Sequence, residues 1–396
     1  MVQQALRAPL AGIRAAVCAS GVAAAYAGRL LRVLGAETIL LEPPGGTQLR
    51  REPPFLDVEG KVSALFAYMA AGTRSRVCDL QTEHGRAMAA ELLREIDIFI
   101  DDTPLQERTW YGTDQSTVSR QNPRLVHVSV LPFGANGPKA TWKGEEINIL
   151  HASGEGHLLP NGLSVELFPD RPPVKIYGHF ASLQGGIAAA LGALSALWVR
   201  DVAGGQFVDI AVQDAALAVS AFAVQRYGDG SVEHRATRSF RYGGVIPCSD
   251  GYIELLTLEQ RQWTALVKLL GQPEWALDPK LDDSLERSHQ GAAINARIRD
   301  WAKDKRVADI VARGQTLGVP IAKYNTPAEV LADPHERARR LFACVEIDGV
   351  GARDMLVSPF QFGAGPLTLD HGPPALGEDD KNQQVVRQDR VAGAGA

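Results

Sequence analysis

The stretch SRVCDLQTEHGRAMAAELLREIDIFID, residues 75–101, contains one complete strand–helix–strand unit. Its two ends, Ser75–Leu80 and Ile96–Asp101, are short apolar runs that predict β-strands. Between them, Thr82–Arg94 spaces its large apolar residues as on one face of a helix. Two strands joined through a helix predict a parallel pair, with the helix packed on one face of the sheet.

The same alternation runs through the rest of the first half of the chain. Further apolar runs of strand length are Ala15–Ala19, Thr38–Glu42 and Leu125–Leu131. We therefore predict an α/β fold whose large, Rossmann-like domain is a parallel sheet covered by helices on both faces. The sequence contains no GxGxxG fingerprint after a strand, so a nicotinamide cofactor is not supported.

One segment, Leu183–Val199 (LQGGIAAALGALSALWV), is almost free of charge. A helix that is apolar on every side is expected to be buried. The run falls short of the roughly 20 residues of a membrane span and is rich in glycine and serine. We interpret it as a central core helix and expect no membrane association.

The pattern of hydrophobic and polar residues changes near Gly228, which predicts a second domain. We predict that residues 1–227 form the first part of the large domain and 228–325 a small α+β domain. Residues 326–396 are predicted to return to the large domain and to end in a frayed tail. Elements predicted after residue 228 are the strands Tyr252–Thr257, Ala343–Asp348 and Asp354–Val357 and the helices Gln262–Leu270 and Ala292–Trp301.

Composition narrows the classes of function. The chain has 396 residues, 45% of them hydrophobic, and a formal net charge of −5. This balance lacks the basic character of a nucleic-acid-binding protein. The four cysteines are scattered without metal-ligand spacing, which predicts neither disulfides nor a metal site. We expect a cytoplasmic protein.

Short stretches in a fixed order, from about residue 9 to 367, resemble the family III CoA-transferases, also called the CaiB/BaiF family. The main ones are Pro9–Ile13, Leu34–Glu37, Glu42–Gly46, Thr82–Arg86, Asn122–Val126, Gly318–Pro320 and Ala332–His335. The resemblance implies an interlocked dimer in which coenzyme A (CoA) binds the large domain. It implies transfer of CoA from an acyl-CoA to a carboxylate, with CoA as a substrate and no permanently bound cofactor. One branch of the family racemises 2-methylacyl-CoA esters.

The nucleophile of the family is an aspartate four residues before a glycine of the buried helix. Here that glycine is Gly186 and the nucleophile position holds Ser182. No aspartate or glutamate occurs in Gly178–Gln184, and a serine cannot form the acyl anhydride that the aspartate forms. A site without its nucleophile is the favoured interpretation. A Ser182–His179 pair is the alternative.

A second segment, Lys143–Asn148, resembles the Gly-His-Asp-Ile-Asn stretch of the racemase branch. Glu145 stands at the histidine position, and two-base proton transfer needs both groups, so racemase activity is disfavoured. Glu145 or Glu146 could still supply a catalytic carboxylate. The simpler interpretation is that Glu146 caps a helix or pairs locally with Lys143.

The third segment concerns the coenzyme. Where the family usually has Glu-Asn-Phe, this chain has Asp101–Thr103, so Asp102 adds a negative charge. The first strand–helix turn, Ser20–Ala25, could still offer backbone N–H groups to an anion. By resemblance, the CoA-contacting positions are Gly21, Val22, Ala23, Asp102, Thr103 and Lys143.

These departures favour a catalytically silent subunit of a heteromeric CoA-transferase. Its partner would be a homologous subunit that carries the aspartate. The complex would move CoA from an acyl-CoA such as succinyl-CoA to a carboxylic acid. In this the chain resembles the nucleophile-free subunit of enzymes such as succinyl-CoA:(R)-benzylsuccinate CoA-transferase. The alternatives are an active homodimer, transferase or racemase, with a relocated carboxylate, and a non-enzymatic acyl-CoA binder.

Overall fold

A computed structural model describes residues 8–159, 170, 174–219, 242–363, 365 and 367–380. The described residues form two compact units. The first comprises those before residue 157, from 175 to 219 and from 335 onward, and the second comprises 242–334 with the few described residues from 157 to 174. The chain re-enters the first unit at His335.

The first unit is built on a parallel six-stranded sheet. Its strands are Arg14–Cys18 (β1), Glu37–Glu42 (β2), Arg74–Val77 (β3), Ile98–Asp101 (β4), Val126–Leu131 (β5) and Phe207–Ala211 (β6). Their order is β3-β2-β1-β4-β5-β6, and all neighbouring pairs are parallel. The predicted fold class is confirmed. The order reverses between β1 and β4, which is the place where ligands bind in open sheets of this kind.

Helices cover both faces of this sheet. They are Val22–Val33 (α1), Ala64–Ala70 (α2), Glu83–Leu93 (α3), Leu105–Tyr111 (α4), Gln115–Gln121 (α5), Glu146–Ala152 (α6), Phe180–Ala203 (α7) and Val212–Val219 (α8), with 3₁₀ turns at Gln48–Arg51 and Glu155–Leu158. Along β4, Ile98 and Ile100 belong to the core under α1 and α7, whereas Phe99 belongs to the core under α3 and α5. This alternation is the period of a strand that is buried on both sides.

Helices α1 and α7 approach each other closely because of a glycine. A β-carbon at Gly186 would lie 2.8 Å from the carbonyl oxygen of Ala23 and 2.9 Å from the Tyr26 Cβ. Neighbouring Gly185 is similarly close to Val212 on α8, at 2.9 Å. Small residues let the helix backbones pack side by side. As a result, the first turns of α1 and α7 meet at one end of the sheet.

The predicted core helix α7 is buried on one side in the single chain. Ala189, Ala193 and Ala196 are buried against the core. The opposite side exposes Leu191 (63%) and Trp198 (89%). Among the described residues, α7 is also the helix long and apolar enough to cross a membrane by length and composition, a test that core helices of soluble proteins pass as well.

The second unit is an α+β domain, as predicted. Its antiparallel strands are Gly244–Cys248 (β7), Gly251–Leu255 (β8) and Ile321–Lys323 (β9). Its helices are Gln260–Leu269 (α9), Ser284–His289 (α10), Gly291–Ala302 (α11), Val307–Leu317 (α12) and Pro327–Ala332 (α13), with 3₁₀ turns at Glu274–Leu277 and Pro279–Asp282. Trp263 on α9 is the largest of its fully buried side chains.

After the short helix Pro334–Ala338 (α14), the chain forms an antiparallel hairpin of Phe342–Ile347 (β10) and Gly351–Leu356 (β11). Val345 and Met355 of this hairpin pack on Val33 and Ala67 of the first unit. The C-terminal strands therefore complete the first unit.

Candidate active site

A cavity of about 660 Å³ lies at the carboxyl ends of the central strands. Its walls come from the loops that follow β1 and β4, from the end of β5, and from the first turns of α1, α6 and α7. This is the topological switch point of the sheet, so the cavity is where an open α/β fold is expected to bind its ligand.

Glu146 and Ser182 meet in the wall of this cavity. The Glu146 carboxylate accepts hydrogen bonds from Ala181 N at 2.8 Å and from Ser182 N at 3.0 Å. It also accepts one from the Ser182 hydroxyl at 2.7 Å. A carboxylate at the start of a helix is stabilised both by the free N–H groups and by the helix dipole. Glu146 thus caps α7, a helix distant in sequence.

This geometry bears on the alternatives that the sequence left open. The Ser182 hydroxyl donates to Glu146, so its proton is not directed at His179, which precedes α7 and lines the same cavity. Glu145 precedes α6, where its N–H donates to the Asn148 side chain at 3.1 Å. Within the part of the chain that the structure describes, Glu146 forms no ion pair with Lys143, which is exposed at the rim.

Asp102 occupies the start of α1. Its carboxylate accepts from Gly21 N at 2.7 Å and from Ser20 N at 2.9 Å, and Ser20 Oγ lies 3.2 Å away. These N–H groups belong to the turn that the sequence predicted as an anion site. In the structure they are bound by the chain's own carboxylate.

Burial raises the pKa of Asp102 to about 6, because desolvation of its carboxylate outweighs the hydrogen bonds from Ser20 and Gly21. The loop that carries Asp102 is fixed by the buried side chains of Asp101 and Arg108. Asp101 is fully buried and lies 3.3 Å from the Arg108 Nε. Arg108 also donates to the carbonyl oxygens of Thr103 at 2.8 Å and of Asp101 at 3.1 Å. These contacts fix the position of Asp102.

We expect the unfolding free energy of Asp102→Asn, measured relative to that of the wild type, to increase as the pH rises from about 4 to about 7. The folded state binds the Asp102 proton more tightly than the unfolded chain does, because the pKa is raised from 3.8 to about 6. That contribution is fully present below 3.8 and is lost as the pH rises through 6. The difference in unfolding free energy should change by on the order of 1–2 kcal/mol. Urea titrations at both pH values measure it, and a constant difference contradicts it.

The structure brings most of the predicted site residues to one cavity. Those that line it are Gly21, Val22, Ala23, Asp102, Lys143, Glu145, Glu146, His179 and Ser182. Thr103 does not: it is buried beneath the cavity, with its hydroxyl 3.7 Å from the Cys18 sulfur. A residue with its side chain turned inward is not placed to contact a ligand.

Sequence reasoning missed other lining residues, including Gln48, Glu52, Glu107 and Trp142. Gln48 and Glu52 follow the Glu42–Gly46 stretch that carries part of the family resemblance, so a signal was present. Trp142 directly precedes the Lys143–Asn148 segment and exposes 57% of its surface.

The cavity wall is acidic. Its carboxylates are Glu52, Asp102, Glu107, Glu145 and Glu146, and its lysine is Lys143. Such a wall opposes highly anionic ligands unless a neighbouring chain adds positive charge. Among the described residues, no group of three or more histidine, cysteine, aspartate or glutamate side chains is arranged to hold a metal ion.

Fold and site together define an α/β protein with a ligand cavity at the switch point of a parallel sheet. The model of CoA-transferase family III matches residues 10–380 of the chain. A crystal structure of a CaiB/BaiF family protein from Brucella suis superimposes with a TM-score of 0.83 at 31% identity, covering 96% of this chain and 99% of that one. The chain therefore belongs to CoA-transferase family III.

Two relatives show the range of the family. The chain is 28% identical over 369 residues to subunit BbsE of succinyl-CoA:(R)-benzylsuccinate CoA-transferase from Thauera aromatica, covering 89% of this chain and 88% of that subunit. It is 30% identical over 325 residues to the probable CoA-transferase Rv1866 of Mycobacterium tuberculosis. That match covers 78% of this chain but spans only 39% of the mycobacterial protein.

Proposed function

We propose that this chain is the nucleophile-free subunit of a heteromeric CoA-transferase. The observation that carries the proposal is the environment of Ser182. The position that holds the aspartate in the family holds Ser182 here. The Ser182 hydroxyl donates a hydrogen bond to Glu146. The carboxylate nearest to this position is in turn held by the two N–H groups that open α7.

The chemistry explains why this arrangement is silent. The aspartate of a homologous partner attacks the acyl-CoA thioester carbonyl and expels CoA thiolate, which leaves an acyl–aspartyl anhydride. The thiolate then attacks the aspartyl carbonyl, releases the donor acid as a carboxylate and leaves an aspartyl thioester. The acceptor carboxylate repeats these two steps in reverse and leaves with CoA. A serine offers an alcohol, whose ester does not return an acyl group to CoA readily.

The exposed side of α7 supports a second chain. Ile187, Leu191, Trp198 and Val202 are each at least 45% exposed and follow one another at helical spacing. Large exposed apolar side chains in a row are typical of an interface. BbsE is by its name a subunit, which also supports an assembly of unlike chains.

The proposed substrates are an acyl-CoA such as succinyl-CoA and a carboxylic acid, with benzylsuccinate as the acceptor that the resemblance to BbsE suggests. The complex needs no permanently bound cofactor, because CoA enters as one substrate and leaves on the other. We place the enzyme in the cytoplasm, where acyl-CoA is available.

The test is covalent trapping. The chain is incubated with succinyl-CoA, alone and with a homologous aspartate-bearing subunit, and then treated with hydroxylamine. Intact-protein mass spectrometry measures the adducts. We expect a hydroxamate on the partner alone, and CoA transfer only by the mixture. A partner with its aspartate replaced by asparagine serves as the control and should abolish both signals. A hydroxamate on this chain by itself would show that it carries its own nucleophile.

A second candidate is a transferase that uses Glu146 as the nucleophile. The 2.7 Å contact between Glu146 Oε2 and Ser182 Oγ favours it, because it brings a carboxylate to the family's nucleophile position. This function requires a hydroxamate on the lone chain that Glu146→Gln removes and Glu145→Gln keeps. Persistence of the adduct in Glu146→Gln excludes it.

A further inference from the structure

The turn after β1 is the natural anion position of this cavity. It opens α1 and lies at the switch point of the sheet. N–H groups at a helix start have no partner within the helix and so attract anions. Asp102 fills this position. Its Oδ2 lies 2.7 Å from Gly21 N, and a β-carbon on Gly21 would come within 3.3 Å of the same oxygen. The carboxylate is thus in close contact with the backbone that a ligand would need.

We propose that Asp102 acts as an internal ligand that closes the anion position of this cavity. The chain on its own then excludes acyl-CoA. In the heteromer, an extension that rests on the proposed function, CoA binds only in the partner's cavity. Asp102 is in this sense the residue that decides which of the two cavities is used.

Asp102 differs from the other carboxylates in the cavity wall by what it touches. Glu107 accepts from the Tyr111 hydroxyl at 3.0 Å, and Glu52 accepts from the Gln48 side chain at 2.7 Å. Glu146 is bound at α7. Asp102 alone of these four is hydrogen-bonded to the first turn of α1. Asp102→Asn removes the charge and one of the two oxygens that accept from Ser20 N and Gly21 N, whereas Glu107→Gln leaves these contacts unchanged and only lowers the charge.

The closing contact is held in place. Asp102 N donates to Cys18 O at 3.2 Å, which ties the loop to the end of β1. On the other side, the buried Asp101–Arg108 pair anchors the loop to α4. A ligand would have to displace a carboxylate that is fixed on both sides and break its hydrogen bonds to Ser20 and Gly21. Displacement is therefore unfavourable compared with binding in a cavity that is already open.

The experiment is calorimetric titration of the folded chain with CoA. We expect no saturable binding by the wild type up to about 1 mM, and affinity at least about tenfold higher for Asp102→Asn. Glu107→Gln is the matched control, because it removes one charge from the same cavity without changing the acceptors of Ser20 N and Gly21 N, and it should gain clearly less affinity than Asp102→Asn. Asp102→Ala is the second variant, and far-ultraviolet circular dichroism verifies that each variant is folded.

Wild-type binding as tight as that of Asp102→Asn overturns the proposal. An equal gain in Glu107→Gln overturns it as well, because it reduces the effect to net charge. With the partner present, one CoA per heteromer for the wild type and two for Asp102→Asn support it. Failure of the heteromer to form or to transfer CoA, with the gain in Asp102→Asn intact, counts against the proposed function and leaves the closure standing.

Discussion

Replacing Glu42 with alanine is expected to lower the free energy of unfolding by about 3–5 kcal/mol. Glu42 ends β2 and its side chain is only 1% exposed. Both carboxylate oxygens lie 2.7 Å from Arg50 nitrogens, and they also accept from Ser75 Oγ at 2.6 Å and from Thr47 N at 3.0 Å. Without Glu42, these donors and the Arg50 charge lose their partner inside the protein.

The pH dependence of Glu42 follows from the same contacts. Burial alone would raise its pKa, but the hydrogen bonds from Arg50, Ser75 and Thr47 outweigh that effect and lower the pKa below its ordinary value of 4.5. The stabilisation is present above 4.5 and is lost as the pH falls through the folded-state value. The penalty of Glu42→Ala should therefore shrink in acid.

The matched control is Glu37→Ala at the other end of β2. Glu37 pairs with Arg14 and Arg74, but its side chain is 37% exposed, so its loss should cost less than about 1 kcal/mol. Urea unfolding of the three proteins near neutral pH separates the two sites. Similar small losses in both variants would show that the pair at Glu42 contributes no more than a surface contact.

Replacing Glu146 with glutamine is expected to lower the free energy of unfolding by about 2–3 kcal/mol. Glutamine carries one acceptor oxygen where the carboxylate has two, so it cannot keep both the contact of Oε1 with Ala181 N and the contact of Oε2 with Ser182 N. Ala181 is completely buried, which leaves its N–H without water as a substitute. The charge that complements the start of the 24-residue α7 is lost as well.

Glu145→Gln is the control for Glu146→Gln. It lies next to Glu146 in the same wall but is exposed, so its stability should stay within about 0.5 kcal/mol of the wild type. Thermal and urea unfolding measure both. If Glu146 is a structural cap in the proposed heteromer, the complex containing Glu146→Gln loses transfer activity only as far as the subunit unfolds. Complete loss of turnover in a folded variant would instead assign the chemistry to Glu146.

The alternation of short strands and helices was sufficient to predict the parallel sheet, since each element carries its own hydrophobic period. The strands β1 and β5 lie within one residue of their predicted positions, and α3 lies inside the predicted Thr82–Arg94. The small domain was predicted for the same reason, from its own helical and strand patterns. The hydrophobic period of a strand or helix is a local property of the sequence, so it can be identified without the tertiary structure.

The burial of α7 shows the limit of that reasoning. Its sequence is apolar on every side, which predicts burial, but the single chain covers only one side. The apolar composition of a helix predicts that its surface is buried, but not whether the same chain or another chain buries it. An apolar helix at an interface and one in a core therefore have the same sequence signature.

The sequence by itself determined the fold, the family and the serine at position 182, because all three are properties of residues read in order. Only the tertiary structure decided what surrounds that serine and what fills the first turn of α1. Glu146 reaches Ser182 across 36 residues, and Asp102 reaches Gly21 across 81. The physical reason is that both carboxylates are drawn to unpaired N–H groups at helix starts, and chain packing sets which helix starts lie within reach.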